Sequence, residues 1–249
     1  MKKLMLFAMV ASLLFFAGCE RETDTPDTPV IPHVIPPSGE GLFTVSKDGH
    51  QVRFASGNLE YDSINGYRFA AHQYDYGGYF GWGTGSNPTL TSTDYADYPS
   101  FDDWGSHIDG GWRTLSIDEW MYVIWRRADA FAKNGAATVC GVQGMVLLPD
   151  IWNGGTFNAD FFDNGWNTNV YDASSWADME DAGAVFLPAA GYRIGTKMTN
   201  VGWFGEYWSF SPCYESDDAY VMSFDRGGTN LNDADSRHYG LSVRLVQDI

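Results

Sequence analysis

Basic residues are scarce in this chain: 15 Lys and Arg stand against 32 Asp and Glu, for a formal charge of -17. A field of that sign repels phosphate backbones and excludes nucleic acid as a partner. Its bland consequence is solubility; a specific cationic partner is the alternative. Cysteine is nearly absent, with three in 249 residues. The histidines are few and scattered, without His-x-x-x-His spacing, so a metal centre lacks ligands. Gly-x-Ser-x-Gly, His-Glu-x-x-His and a lysine-bearing phosphate loop are all missing. Acid pairs such as Asp102-Asp103 and Asp217-Asp218 abound, but in so acidic a chain they read as solvated surface rather than a glycosidase pair. The chain is therefore read as a non-enzyme with no cofactor and no metal, although its acidic loops suit a structural calcium.

Apolar runs are also short. Leu4–Phe16 is broken only by Ser12, and falls well below the about twenty residues of a membrane span. With Lys2-Lys3 ahead of it and Phe16-Ala17-Gly18-Cys19 behind it, this run has the form of an export signal over residues 1–18. The small pair before cysteine resembles the bacterial lipobox. That resemblance implies cleavage before Cys19, acylation of its thiol, and anchoring on a membrane outside the cytoplasm. Cys140 and Cys213 then remain as one candidate pair, and nothing in the sequence brings them together. Residues 19–40 begin Cys19-Glu20-Arg21-Glu22 and hold five of the chain's ten prolines. This composition forms no core and reads as an extended spacer. Acids directly after the cysteine resemble surface-export signals of Bacteroidetes lipoproteins, which implies the outer membrane and its outward face.

Residues 41–249 form the globular part. Aromatics at 16% and 28 glycines suit long ordered loops pinned by rings. Leu42–Val45 and Gln51–Phe54 alternate around Lys47–His50, a hairpin signal. Asn65-Gly66 marks a turn before Tyr67–Ala70. Residues 74–112 lack periodicity and read as loop. Ser116-Ile117-Asp118-Glu119 is a capping box opening a helix whose Ile117, Trp120, Met121, Ile124, Trp125 and Ala128 share one face. Met145–Leu148 is a buried strand stopped by Pro149. Ser175–Asp181 is a short helix ended by Gly183. Ala184–Leu187, Glu206–Ser209, Tyr220–Phe224 and Leu241–Val246 read as strands. The fold class is α+β.

A series of segments carries a resemblance: Ala55–Tyr61, Phe80–Gly85, Trp112–Ser116 with Glu119-Trp120, Met145–Pro149, Gly183–Arg193, Tyr207–Ser209 and Gly240–Arg244. Together they resemble surface lipoproteins of gut Bacteroidetes with a C-type lectin-like domain of the formylglycine-generating-enzyme-like variety. The resemblance implies a small twisted antiparallel sheet with two helices and long ordered loops. The paired cysteine motif of the enzyme relatives is not matched by Cys140 and Cys213. The calcium-type sugar-binding signatures are missing too.

Many such proteins are targets of diversity-generating retroelements, which rewrite a C-terminal stretch by adenine-directed mutagenesis. Here that stretch would run over about 210–239. Randomised Asn codons never yield Lys, Glu, Gln, Met or Trp. Cys213, Tyr214, Ser216, Asp217, Asp218, Tyr220, Asp225, Arg226, Asp233, Asp235, Ser236, His238 and Tyr239 are all reachable, and Asn230 and Asn232 would be unmutated template. Glu215 and Met222 are unreachable and would be fixed. The resemblance implies a ligand-binding surface formed by Phe210, Cys213, Tyr214, Ser216, Asp217, Asp218, Tyr220, Asp225, Arg226, Asn230, Asn232, Asp233, Asp235, His238 and Tyr239, displayed on one face. Tyr, Asp, His and Ser there have the chemistry of a paratope. Its ligand is a protein or glycan outside the cell. An accessory envelope protein without a dedicated ligand, and a glycan hydrolase, are the competing readings.

Overall fold

The computed structural model describes residues 41–161, 165–214 and 217–249. The export signal, the spacer, Cys19, Glu215 and Ser216 lie outside the described residues. The first expected hairpin is present: β1 (Phe43–Thr44) pairs with β2 (Gln51–Phe54), and alternation buries Val52 and Phe54. The Asn65-Gly66 turn joins β3 (Leu59–Asp62) to β4 (Gly66–Phe69). Gly66 sits at φ +75, where an L side chain is strained. Residues 74–112 are irregular apart from short 3-10 turns and isolated pairings. Rings pin them: Trp104 packs on Phe80 and Phe101, and Trp82 on Phe101.

After β5 (Trp112–Arg113), the capping box closes as expected. Glu119 N–H donates to Ser116 Oγ at 3.1 Å, and Ser116 N–H donates to Glu119 Oε2 at 2.8 Å. α1 (Ile117–Met121) then widens into a π turn at Tyr122–Arg126. The strands β6 (Asn134–Val139) and β7 (Val142–Leu147) follow. Next come the one-turn α2 (Gly165–Thr168), β8 (Val170–Tyr171) and α3 (Ala173–Asp181). α3 begins before Ser175 because Asp172 caps it, accepting from Ser175 N–H at 2.8 Å. The chain ends with β9 (Val185–Pro188), β10 (Tyr192–Ile194), β11 (Lys197–Thr199), β12 (Gly205–Pro212), β13 (Asp218–Asp225), β14 (Gly228–Ser236) and β15 (Val246–Asp248).

The fold is mixed, with few helices and most strands in small antiparallel sheets. Rather than one sheet, the described strands make several: β1-β2-β15-β5, β8-β6-β7-β9, β12-β13-β14 and two hairpins. Among the described strands β6 and β8 form the one parallel ladder, and Gly191–Gly205 and Tyr207–Ser242 are isolated parallel bridges. The strand expected over Leu241–Val246 is also corrected. Gly240, Leu241 and Ser242 each bridge a different partner, respectively Arg193, Phe80 and Tyr207, so no ladder propagates. Only Val246 belongs to β15.

The sheet β12-β13-β14 lies between two parts of the core. Tyr207, Met222, Phe224 and Leu231 pack with Trp120, Phe43 and Phe54. On the other face Trp208, Ala219 and Val221 pack with Trp82, Trp104 and Leu241. Gly205 allows this close fit, since a Cβ there would stand 2.1 Å from the Phe224 ring.

Five of the seven segments that carry the resemblance meet at a buried polar hub. Arg244 donates to Asn58 Oδ1 at 3.0 Å, Ala55 O at 3.0 Å and Phe186 O at 2.7 Å. Asn58 Nδ2 donates to Tyr207 Oη, which donates onward to Pro188 O. Trp208 Nε1 donates to Phe80 O, and Trp82 Nε1 to Ser209 O. Every member is paired, as buried polar groups must be to avoid a desolvation penalty.

Candidate ligand-binding face

The C-terminal sheet displays the residues expected to bind ligand, but on more than one face. Side chains alternate along a strand, so register decides which of them meet. Glu206 stands opposite Ser223, Ser223 opposite Asn230, Val221 opposite Asp233, and Ala219 opposite Asp235. Glu206, Asp233 and Asp235 therefore share a face with Ser223. Tyr220 points the other way and packs half-buried against the core around Trp120. Its hydroxyl meets Cys213, which raises its pKa. A single display face for Tyr214, Tyr220 and His238 is thus corrected: Tyr214 is fully exposed, Tyr220 belongs to the inner face, and His238 follows β14 on the far side.

The remaining expected residues divide as follows. Asp225 and Arg226 sit at the β13–β14 hairpin, where Asp225 Oδ1 accepts from Gly227 N–H. Arg226 lines a cavity of about 90 Å³ with Phe161, Trp166 and Trp203, and among the described residues no carboxylate lines it. Asn230 and Asn232 are exposed, with Asn232 N–H donating to Asn230 Oδ1. Phe210 is partly exposed beside Phe101. Asp217 and Asp218 offer backbone carbonyls to Arg237. Cys140 and Cys213 form no disulfide. Met222, the position read as fixed, is fully buried.

What the structure brings together is an acidic, aromatic-rimmed patch. Glu206 is 8% exposed, and its Oε2 has no hydrogen-bond donor. Asp235 Oδ2 is enclosed and likewise unpaired. Asp233 accepts from Ser223 Oγ at 3.2 Å and from Ala234 N–H at 3.2 Å. Tyr192 and Tyr239 stack at the rim, centroids 5.5 Å apart and planes within 3°. His238 meets Tyr239 edge-on at 4.9 Å, and its Nδ1 is 2.8 Å from Ser236 Oγ.

Electrostatics follow from this crowding. Burial, and then the charges of Asp235 and Asp233, push Glu206 up to about 8. Burial, with Asp233 and Asp218, pushes Asp235 up to about 6. Burial also raises Tyr192, helped by Glu206, Tyr239 and Asp235. Burial lowers the His238 pKa against the pull of Asp218 and Asp94. Desolvation and like charge each disfavour the ionised carboxylate, so Glu206 holds its proton at neutral pH while Asp235 is largely ionised.

Two members of this patch, Glu206 and Tyr192, lie outside the 210–239 stretch. Glu206 had a signal: it is a lone acid within the strand-like run Glu206–Ser209, on the parity of buried Trp208. Among the described residues no group of three or more His, Cys, Asp and Glu converges closely enough to hold a metal ion. No described helix is long and apolar enough to cross a membrane. No known protein family, curated protein or solved structure matches the chain.

Proposed function

We propose that this protein is a lipid-anchored surface protein that binds an extracellular ligand at the patch of Glu206, Asp233 and Asp235 on β12 and β14. The observation that carries this reading is the pair of enclosed oxygens without donors, Glu206 Oε2 and Asp235 Oδ2. Folding alone disfavours such groups, because each loses water and gains no partner. A ligand that supplies donors removes that cost, so the arrangement suits binding better than scaffold packing. Cys19 and the preceding Ala17-Gly18 support the anchor, and the spacer over 19–40 supports display away from the membrane.

The resemblance to C-type lectin-like surface lipoproteins fits this reading. Five of its seven segments converge on the Arg244 hub, which holds the sheet rigid beneath the patch. In the retroelement version, Asp233, Asp235, His238 and Tyr239 are rewritable, whereas Glu206 and Tyr192 are fixed anchors beside them. An adenine-rich copy of the 210–239 coding stretch next to a reverse-transcriptase gene is the expected genomic signature. Its absence leaves a binding protein of fixed specificity.

The functional test uses the full-length lipoprotein in detergent micelles against arrays of peptides and glycans. Signals on the wild type that fall at least about tenfold in a Glu206→Gln/Asp235→Asn variant support the reading. Ligand binding unchanged by this variant and by Tyr192→Ala removes it. Labelled palmitate incorporated by wild type and not by Cys19→Ala checks the anchor.

A second reading, an accessory subunit of an envelope assembly, has one observation behind it. Met198, Val201, Trp203 and Phe204 are all exposed in one short stretch before β12, which suits a protein contact. Co-purification of a stoichiometric partner, lost on Trp203→Ser, would favour it.

A further inference from the structure

We infer that the patch takes an organic cation, the ammonium or guanidinium of a lysine or arginine side chain on a basic extracellular peptide or protein. This rests on the binding reading above and assigns it a ligand chemistry.

Three carboxylates face one another across β12 and β14, and one of them, Glu206, is more than nine-tenths buried with no donor. Cations of the chain itself are close in sequence yet committed elsewhere. Arg193, next to Tyr192, donates to the carbonyls of Gly195, Tyr79 and Leu90. Arg237, two residues from Asp235, lies over the Trp82 ring at 4.4 Å and donates to Asp218 O. Arg244 is spent in the hub. Among the described residues, therefore, the patch has acceptors in excess and no ion-pair partner.

The geometry selects among cations. A metal requires oxygens converging to about 2.0–2.6 Å around one point, and the described carboxylates do not converge in that way. An ammonium or guanidinium spreads several N–H donors over more widely spaced acceptors, at about 2.7–2.9 Å each. The stacked Tyr192 and Tyr239 rings at the rim add attraction for the same groups and for the apolar stem behind them. The charge of -17 draws basic partners and repels acidic ones.

Binding should release protons. The titratable groups acting on Glu206 are Asp233 and Asp235 from β14, and Glu206 in turn acts on Tyr192 from β10, which Tyr239 also faces; β13 contributes the neutral Ser223 and, beside Asp235, the acidic Asp218. Glu206 and Asp235 are held partly protonated near neutrality, and an arriving cation favours their ionised forms.

The test is calorimetric titration of the full-length lipoprotein in micelles with capped pentapeptides that differ only at the central residue: lysine, arginine or norleucine. The expected result is binding of the lysine and arginine peptides at least about tenfold tighter than norleucine. Repeating the titration at pH 7 in two buffers of different ionisation enthalpy should show net proton release. Glu206→Gln/Asp235→Asn should cost at least about tenfold and abolish the proton release, with near-UV circular dichroism unchanged.

Equal affinity for the norleucine peptide, no binding of either charged peptide, or occupation of the patch by calcium alone would overturn the inference. So would binding of chitosan oligomers without the peptides, which would place the cation on a glycan. An uncharged array ligand lost in Tyr192→Ala and kept in Glu206→Gln would defeat the cation and leave the binding face standing. Loss of no ligand in any of these variants would defeat both.

Discussion

Arg244 and Glu206 are both ionisable side chains buried in the same part of the fold, and they are treated in opposite ways. Arg244 is 1% exposed and satisfied by three acceptors from two segments. Burial lowers it to about 10, opposed by Tyr207 and Glu180, so it stays charged at neutral pH. Glu206 is 8% exposed, has no donor, and faces like charges. The segment that carries Arg244 touches β12, which carries Glu206, since Ser242 N–H donates to Glu206 O. A buried ionisable group with its partners present stays charged and fastens a fold; one whose partners are missing keeps its proton and is held ready for something that arrives.

The sharpest way to break this contrast is Arg244→Leu. It leaves Asn58 Oδ1 and two buried carbonyls without their donor, and should cost about 3–5 kcal/mol in denaturant unfolding. A loss under about 1 kcal/mol would mean that the hub fastens nothing.

The opposite sign is expected at the patch. Folded Glu206 titrates at about 8, above its ordinary 4.5, and Asp235 at about 6, above its ordinary 3.8. Below the ordinary values both states are protonated and the raised pKa contributes in full. As pH rises, the unfolded chain loses these protons first, so stability falls. The fall spans about pH 4 to 8, at up to about 1.4 kcal/mol per pH unit for each group still protonated only in the fold. Glu206→Gln should flatten the segment from pH 6 to 8 and leave the Asp235 segment below it. A wild-type profile that is level or rising from pH 6 to 8 would falsify this account. Ser116→Ala is smaller and serves as a reference outside both regions. Loss of the Glu119 N–H cap should cost about 1 kcal/mol at every pH and leave the slope untouched.

The two regions were unequally legible in the sequence. The capping box at Ser116, the hairpin turns and the buried strands are local signals, and the structure contains them. β6 gave less, because Asn134-Gly135-Ala136-Ala137 lacks the branched and aromatic residues that mark strands. Its burial comes from neighbours on both sides. The C-terminal stretch was recognisable as polar and aromatic, but its display on one face was not obtainable from composition. A bulge between Val221 and Ser223 resets the parity of β14, and only register reveals that Asp233 and Asp235 join Glu206 while Tyr220 turns inward. Tyr192 enters the patch from another hairpin, a long-range contact without any local trace.

The smallest effect concerns that contact. Tyr192 and Tyr239 stack at a half-exposed rim, so their mutual attraction should sit near the low end for aromatic pairs, about 0.5 kcal/mol in a double-mutant cycle of unfolding. If the rim belongs to the unsatisfied region, single alanine variants should cost little stability and yet weaken capture of a lysine peptide severalfold. If it belongs with the hub, the order reverses: the variants lose well over about 1 kcal/mol of stability, and peptide affinity per folded molecule stays constant. Measuring both quantities on the same three variants assigns the tyrosines to one region or the other. It also decides whether the line between fastened and waiting polar groups runs beneath the aromatic rim or through it.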